Sequence, residues 1–213
     1  MSTQSVDTLI AALVEGDRTL AVREAGRLLE AGVLRERIVT GALEVAMKRL
    51  ESKCTLEQFN LLEIMVAGRA VMEVMNLLYP EGSRPDSPKG TIVIATLEGD
   101  VHDLGKNILR MVLVSDGYRV VDCGRDCPVE LLVSTAKKEG ARAVCVSGLI
   151  TSVIPIVRLV RRSLAGAGLP GISVIAGGAA LKMATAESLD VDVVCDSAFD
   201  AVNWLDNAEG GRA

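Results

Sequence analysis

A chain of 213 residues suits one large domain or two small ones and is long enough to bury a core. Apolar residues make up 49% and aromatics 2%, so that core is built from Val, Leu, Ile, Ala and Met, as in helices packed on a parallel sheet or on one another. A formal net charge of -5 argues against nucleic-acid and membrane-surface partners, which select a basic face. The opening "MSTQSVDTLIAALVEG" lacks a charged leader before a continuous apolar run, and no apolar stretch reaches the length of a bilayer. The cysteines at 54, 123, 127, 145 and 195 are odd in number and form no Cys-x-x-Cys pair, so neither a disulfide framework nor a zinc knuckle is indicated. Together these features predict a cytoplasmic protein with reduced thiols.

The first 79 residues carry apolar side chains at spacings of three and four. Four helices are expected, in "VDTLIAALVEG", "DRTLAVREAGRLLEAG", "LRERIVTGALEVAMKRLESK" and "TLEQFNLLEIMVAGRAVMEVMNLL". Asp17 is placed to cap the second, Thr55 and Gln58 form a capping box for the fourth, and Gly16 and Gly32 stand where helices should stop. Short connections between them imply an antiparallel four-helix bundle. Four of the seven methionines (47, 65, 72 and 75) fall in its last two helices, where filling irregular core gaps is their commoner use.

Residues 80–90 hold three of the six prolines and two glycines, a composition that reads as a linker. Beyond it, over 91–213, β-branched runs alternate with amphipathic stretches. The runs are "TIVIATL", "YRVVDC", "ARAVCVSG", "GISVIAGG" and "VDVVCD"; the helices begin near Gly105, Pro128, Val153, Ala180 and Ala198. Five such units predict an α/β domain, a Rossmann-like or flavodoxin-like doubly wound parallel sheet. The strand order expected is 2-1-3-4-5, which opens a crevice at the C-terminal ends of strands one and three.

The only histidine, His102, lies at that crevice, in "GDVHDLGKN" directly after the first run. Asp-x-His is the arrangement a metal-binding imidazole uses: one ring nitrogen donates to the carboxylate, and the other becomes a better ligand. One histidine cannot build a zinc site alone, but it can be the axial ligand of a metal already held by a macrocycle, haem being one candidate. Gly105 permits close approach of something bulky. Asp103 reads as the N-cap of the helix that follows. Cys123 and Cys127 read as packing residues.

"DVHDLGKN", "SGLIT" at 147–151 and "GG" at 177–178 together resemble the three-part signature of cobalamin-binding domains, in order and in register with the strand ends. The N-terminal helices resemble the helical domain that precedes the corrinoid domain in methionine synthase and in the corrinoid proteins of methanol, methylamine and O-demethylating systems. The resemblance therefore spans nearly the whole chain. It implies a cobalamin cofactor bound with its own base released from cobalt, and His102 as the cobalt ligand in its place. Asp100 then matches the ligand's hydrogen-bonding partner, and Val101, Asp103, Leu104 and Gly105 complete the binding loop. Ser147, Leu149 and Thr151 match the slot for the nucleotide tail, Gly177 and Gly178 the point where the tail passes the backbone, and Ser197 with Ala198 the last loop touching it. Some relatives extend the His–Asp relay to a further hydroxyl where this chain has Val153, so either Thr151 or Ser152 substitutes or the relay is shorter here. The turn "RLESKCTLEQFN" likewise departs from the relatives' pattern.

The resemblance also implies a role. The chain is expected to carry a methyl group on cobalt between a substrate-specific methyltransferase and a second, accepting methyltransferase, with a reductive activator as a further partner. It is not expected to turn over alone. An adenosylcobalamin mutase module reads Asp-Gly-His-Asp-Arg-Gly and does not fit. A cobalamin-dependent sensor without methyl transfer is the alternative. Against its acting on DNA, residues 1–79 hold nine basic and eleven acidic residues with no recognition-helix pattern. A phosphate-receiver domain lacks its lysine after "VVCDSAFD".

Overall fold

The computed structural model describes residues 3–54, 61–80 and 88–210. The chain divides into two units, Met1–Glu81 and Gly82–Ala213. The capping pair Thr55 and Gln58, and residues 81–87 of the expected linker, lie outside the described residues.

The first unit contains helices α1 (Thr3–Glu15), α2 (Arg18–Glu30), α3 (Arg35–Ile38), α4 (Glu44–Cys54) and α5 (Leu61–Leu78). Helix α1 packs on α2, α4 and α5, and α2 packs on α5. The seam is the three-and-four pattern itself: Leu9, Ala12 and Leu13 of α1, Ala21, Ala25 and Leu28 of α2, and Ala67, Ala70, Val71, Val74 and Leu78 of α5 are all buried. Asp17 caps α2, its Oδ1 accepting the Leu20 amide at 2.9 Å. Gly16, at φ +73°, turns the chain where an added Cβ would stand 2.5 Å from Val66 Cγ1. The third expected helix is not continuous. A π-helical segment, Val39–Leu43, separates α3 from α4, and Thr40 Oγ1 there donates to the Glu36 carbonyl at 3.0 Å. Such back-bonding by a threonine hydroxyl competes with the helical ladder and loosens it. Among the methionines, Met75 is fully buried and Met65 is exposed.

The second unit is a five-stranded, all-parallel sheet with strands β1 (Thr91–Thr96), β2 (Arg119–Asp122), β3 (Ala143–Ser147), β4 (Ser173–Gly177) and β5 (Val193–Cys195), in the order 2-1-3-4-5. Helices α6 (Leu104–Ser115), α7 (Val129–Glu139), α8 (Ile154–Gly166), α9 (Ala186–Leu189) and α10 (Ala198–Gly210) connect and cover it. The central strands β1, β3 and β4 read as nearly unbroken apolar runs because both their faces are buried, whereas the edge strand β2 is exposed at both ends. Val93, Ala95, Val144, Val146, Val174 and Ala176 share a core with Leu132, Ala136, Val157, Val160 and Leu164 from α7 and α8. The alternate residues Ile92, Ile94, Cys145 and Ile175 are buried on the other face, where α6 and α10 pack together.

The helix expected from Ala180 is shorter than its sequence implied. A 3-10 turn, Leu181–Met183, is followed by the single-turn α9. Thr185 starts α9 afresh by accepting the Ser188 amide, and Asp190, in the left-handed conformation at φ 55°, stops it. Cys127 lies in the core with Cys123 packed against it. The neighbouring Cys127 holds the Cys123 thiol below its ordinary value, against the opposing effect of burial.

Tyr118, the largest fully buried side chain, donates its hydroxyl to Asp206 at 2.6 Å. That bond, with help from Lys89, holds the Asp206 carboxyl below the usual carboxylate range. Tyr118→Phe should therefore cost about 1 kcal/mol at neutral pH, read from urea unfolding. Because the folded carboxyl is depressed, its contribution exists above the unfolded value and is lost as pH falls. The gap between mutant and parent should accordingly narrow on acidification.

Candidate functional site at the C-terminal edge of the sheet

Strand β1 ends where its neighbours on both sides also end, and the loop of residues 97–103 crosses that edge before α6 begins. Several hydrogen bonds fix the loop. Leu97 pairs with Cys127 as an extra parallel bridge, and the Glu98 amide donates to the Cys127 carbonyl at 2.9 Å. Asp126 holds the loop at two successive points: its Oδ1 accepts the Gly99 amide at 2.8 Å, and its own amide donates to the Asp100 carbonyl at 2.9 Å. To do so it adopts φ 52°, a conformation few non-glycine residues take up.

Asp100 is completely buried and fully used. Its Oδ1 accepts the His102 amide at 2.9 Å and lies 2.7 Å from His102 Nδ1, while its Oδ2 accepts the Leu149 amide at 2.6 Å. Burial alone would raise the Asp100 carboxyl, but the two amides and the imidazole outweigh it and hold the group below its ordinary value. An ionised carboxylate can only accept, so Nδ1 carries the proton in the neutral ring and Nε2 keeps a lone pair. The His102 side chain is 51% exposed. An anchored ring with its basic nitrogen open is what an axial ligand requires. Among the described residues no group of three or more His, Cys, Asp or Glu could hold a metal ion by itself. A metal at His102 thus needs its other ligands from a cofactor.

Space beside the loop fits a bulky one. Gly105 opens α6 with no atom within 4 Å of where a Cβ would be, and Val101 is exposed beside it. Gly177, the last residue of β4, meets only the Cys195 carbonyl, at an ordinary 3.5 Å. Neither glycine is demanded by the chain's own packing. Both leave room for something else.

A scan against family models matches residues 90–203 to the B12 binding domain. The chain belongs to that family. Cobalamin is accordingly its cofactor. Dimethylamine corrinoid protein 1 of Methanosarcina acetivorans is 35% identical over 185 residues, covering 85% of each chain. Among solved structures, the monomethylamine corrinoid protein of Methanosarcina barkeri superposes with a TM-score of 0.80 at 26% identity, covering 95% of this chain and 97% of that one. A chain of the methanol:cobalamin methyltransferase complex of the same organism matches with a TM-score of 0.55 at 26% identity, over 100% of this chain and 82% of that one.

Within this B12-binding unit the other signature residues fall at the same edge of the sheet, though not all in the manner expected. Ser147 ends β3 and shares a 2.8 Å hydrogen bond with Thr96, the buried last residue of β1. Leu149 reaches the histidine's partner through its amide, not its side chain. Thr151 and Ser152 are both exposed, and Val153 is buried against Gly148. Asp103 occupies the N-cap position of α6, but its side chain makes no cap hydrogen bond; the Asp103 carbonyl accepts the Asn107 amide instead. Gly178, at φ +101°, is required by the fold itself, since a Cβ there would stand 2.5 Å from the Gly148 carbonyl oxygen. The Ser197 hydroxyl and amide both bind Asp200 Oδ2, at 2.9 and 2.8 Å, ahead of Ala198 at the start of α10. Thr96, Gly148 and Asp126 escaped the sequence reading. Their only signal was position: each sits at or just past a strand end facing the signature.

Proposed function

We propose that this chain is a corrinoid protein of methyltransferase systems, a methyl carrier that holds cobalamin base-off with His102 as the lower axial ligand. The observation that carries the reading is the fully buried Asp100 carboxylate, which spends one oxygen on His102 and the other on Leu149 and leaves Nε2 of a half-exposed ring available. When bound, the corrinoid supplies cobalt able to take up and give up a methyl group; the protein supplies orientation and axial ligation. Asp100 holds the ring in one tautomer. The β1–α6 loop, pinned by Asp126, keeps that ring above the sheet edge. Ser147, Leu149, Thr151, Gly177, Gly178, Ser197 and Ala198 border the slot for the nucleotide tail.

The partners in this reading are a substrate-specific methyltransferase, a second methyltransferase that accepts the group, and a reductive activator, all met in the cytoplasm. Support comes from the relatives: the matching structure from the methanol system is a methyltransferase complex, and curated relatives include trimethylamine and dimethylamine corrinoid proteins. No helix among the described residues is long and apolar enough to cross a membrane. The test is a labelled-methyl chase. The cobalamin-loaded, reduced chain is incubated with a candidate methylamine methyltransferase and its labelled amine, then with an accepting methyltransferase. Label should appear on the protein-bound cofactor and leave with the second partner. Turnover that proceeds at full rate without this chain would dismiss the carrier role.

A further inference from the structure

Four residues at the ends of adjacent strands are register partners across the sheet: Thr96 with Ser147, Ser147 with Gly177, and Gly177 with Cys195. They therefore share one face. Thr96 is fully buried, Ser147 is partly open, and the Gly177 position beside it is a gap bounded by the Cys195 carbonyl. Thr96 Oγ1 makes one hydrogen bond among the described residues, to Ser147 Oγ at 2.8 Å. If Ser147 donated that bond, the threonine proton would be left without an acceptor where water cannot reach it, at full desolvation cost. Thr96 must donate instead. Ser147 accepts, and its own proton is left to point into the gap.

We propose that Thr96 is a positioning residue that fixes Ser147 as a hydrogen-bond donor beside the Gly177 gap, so that the site favours corrinoids whose tail base presents an unprotonated ring nitrogen, such as a benzimidazole or purine, over those ending in a phenolic ether. The proposal rests on reading these strand ends as the slot for the released base. A planar heteroaromatic ring fits a gap left by a missing side chain, and its free nitrogen accepts from Ser147. A phenolic ether offers no comparable acceptor, so the Ser147 proton would have to give up water without replacement.

The experiment measures equilibrium dialysis affinities of the full chain, and of Thr96→Val, Thr96→Ser and Ser147→Ala, for cobalamin and for p-cresolyl cobamide. Comparing one cobamide on two proteins cancels the cost of freeing a base from cobalt. Thr96→Val should weaken cobalamin binding about five- to tenfold, the worth of one neutral hydrogen bond, and leave p-cresolyl cobamide nearly unchanged. Thr96→Ser, which keeps the hydroxyl, should restore the parent affinity. Ser147→Ala leaves the Thr96 proton without its acceptor, so it is paired with the double variant Thr96→Val/Ser147→Ala, which buries no unpaired hydroxyl; both should reproduce the selective loss. Equal weakening of both cobamides, or of neither, overturns the proposal. The electron paramagnetic resonance spectrum of the cobalt(II) form separates this from the wider reading. Protein nitrogen on cobalt with no base selectivity defeats only the role of Thr96; absence of that nitrogen defeats the slot as well.

Discussion

Replacing His102 with alanine should remove the protein nitrogen coupling from the electron paramagnetic resonance spectrum of the cobalt(II) form, while the corrinoid stays bound. The expectation follows from the division of labour at the site. Only one ring in the chain can supply that nitrogen, and its Nδ1 is already committed to Asp100 at 2.7 Å. The slot along the strand ends, by contrast, owes nothing to the imidazole and should still hold the nucleotide tail. Asp100→Asn makes the complementary case. An amide can offer one acceptor oxygen, yet the aspartate now serves donors on both sides: the His102 amide and ring at Oδ1 and the Leu149 amide at Oδ2. One side must then face a donor with a donor. Ligation by His102 should weaken about 10- to 100-fold, the usual loss when a ligand's hydrogen-bonding partner is removed. With the protein labelled with nitrogen-15 to set it apart from the cofactor's own base, a protein nitrogen coupling that survives in His102→Ala would reject the assignment of the ligand outright.

The two adjacent glycines should part company when each is changed to alanine. Gly178→Ala should destabilise the apoprotein by about 3 kcal/mol, because the residue sits at φ +101° and the new methyl would stand 2.5 Å from a backbone oxygen that cannot swing aside. Gly177→Ala should leave apoprotein stability within about 1 kcal/mol of the parent, since its Cβ meets nothing nearer than 3.5 Å and alanine loses less backbone freedom on folding than glycine. Its cost should appear in corrinoid affinity, where the methyl fills the gap beside Ser147. Urea unfolding of the apoproteins and binding titrations with hydroxocobalamin distinguish the two. Similar stability losses in both variants would show that the Gly177 gap serves packing and not a ligand.

The sequence by itself determined a good deal. Local periodicity is a property of consecutive residues, so the helices before residue 79 and the five strands after residue 90 could be read directly, and the strand order followed from what five βα units can form. The single histidine two residues after an aspartate declared its chemistry without any tertiary information, because that hydrogen bond closes within the loop itself. The three-part signature pointed to the cofactor through its resemblance to cobalamin-binding domains, with its pieces in register at the ends of strands one, three and four.

Tertiary structure decided whatever depends on atoms far apart in the chain. No spacing rule tells that Leu149, 49 residues on, lends Asp100 its amide and leaves Thr151 and Ser152 exposed. The pairing of Thr96 with Ser147 exists only once β1 and β3 lie side by side in register. Gly177 and Gly178 are identical in sequence, and they diverge only because the backbone of Gly148 presses on one and not on the other. The π-helical segment at Val39–Leu43 and the early end of α9 were settled by single side-chain and backbone conformations that outbid average propensity. Local energetics wrote the elements; the close approach of their ends made the site.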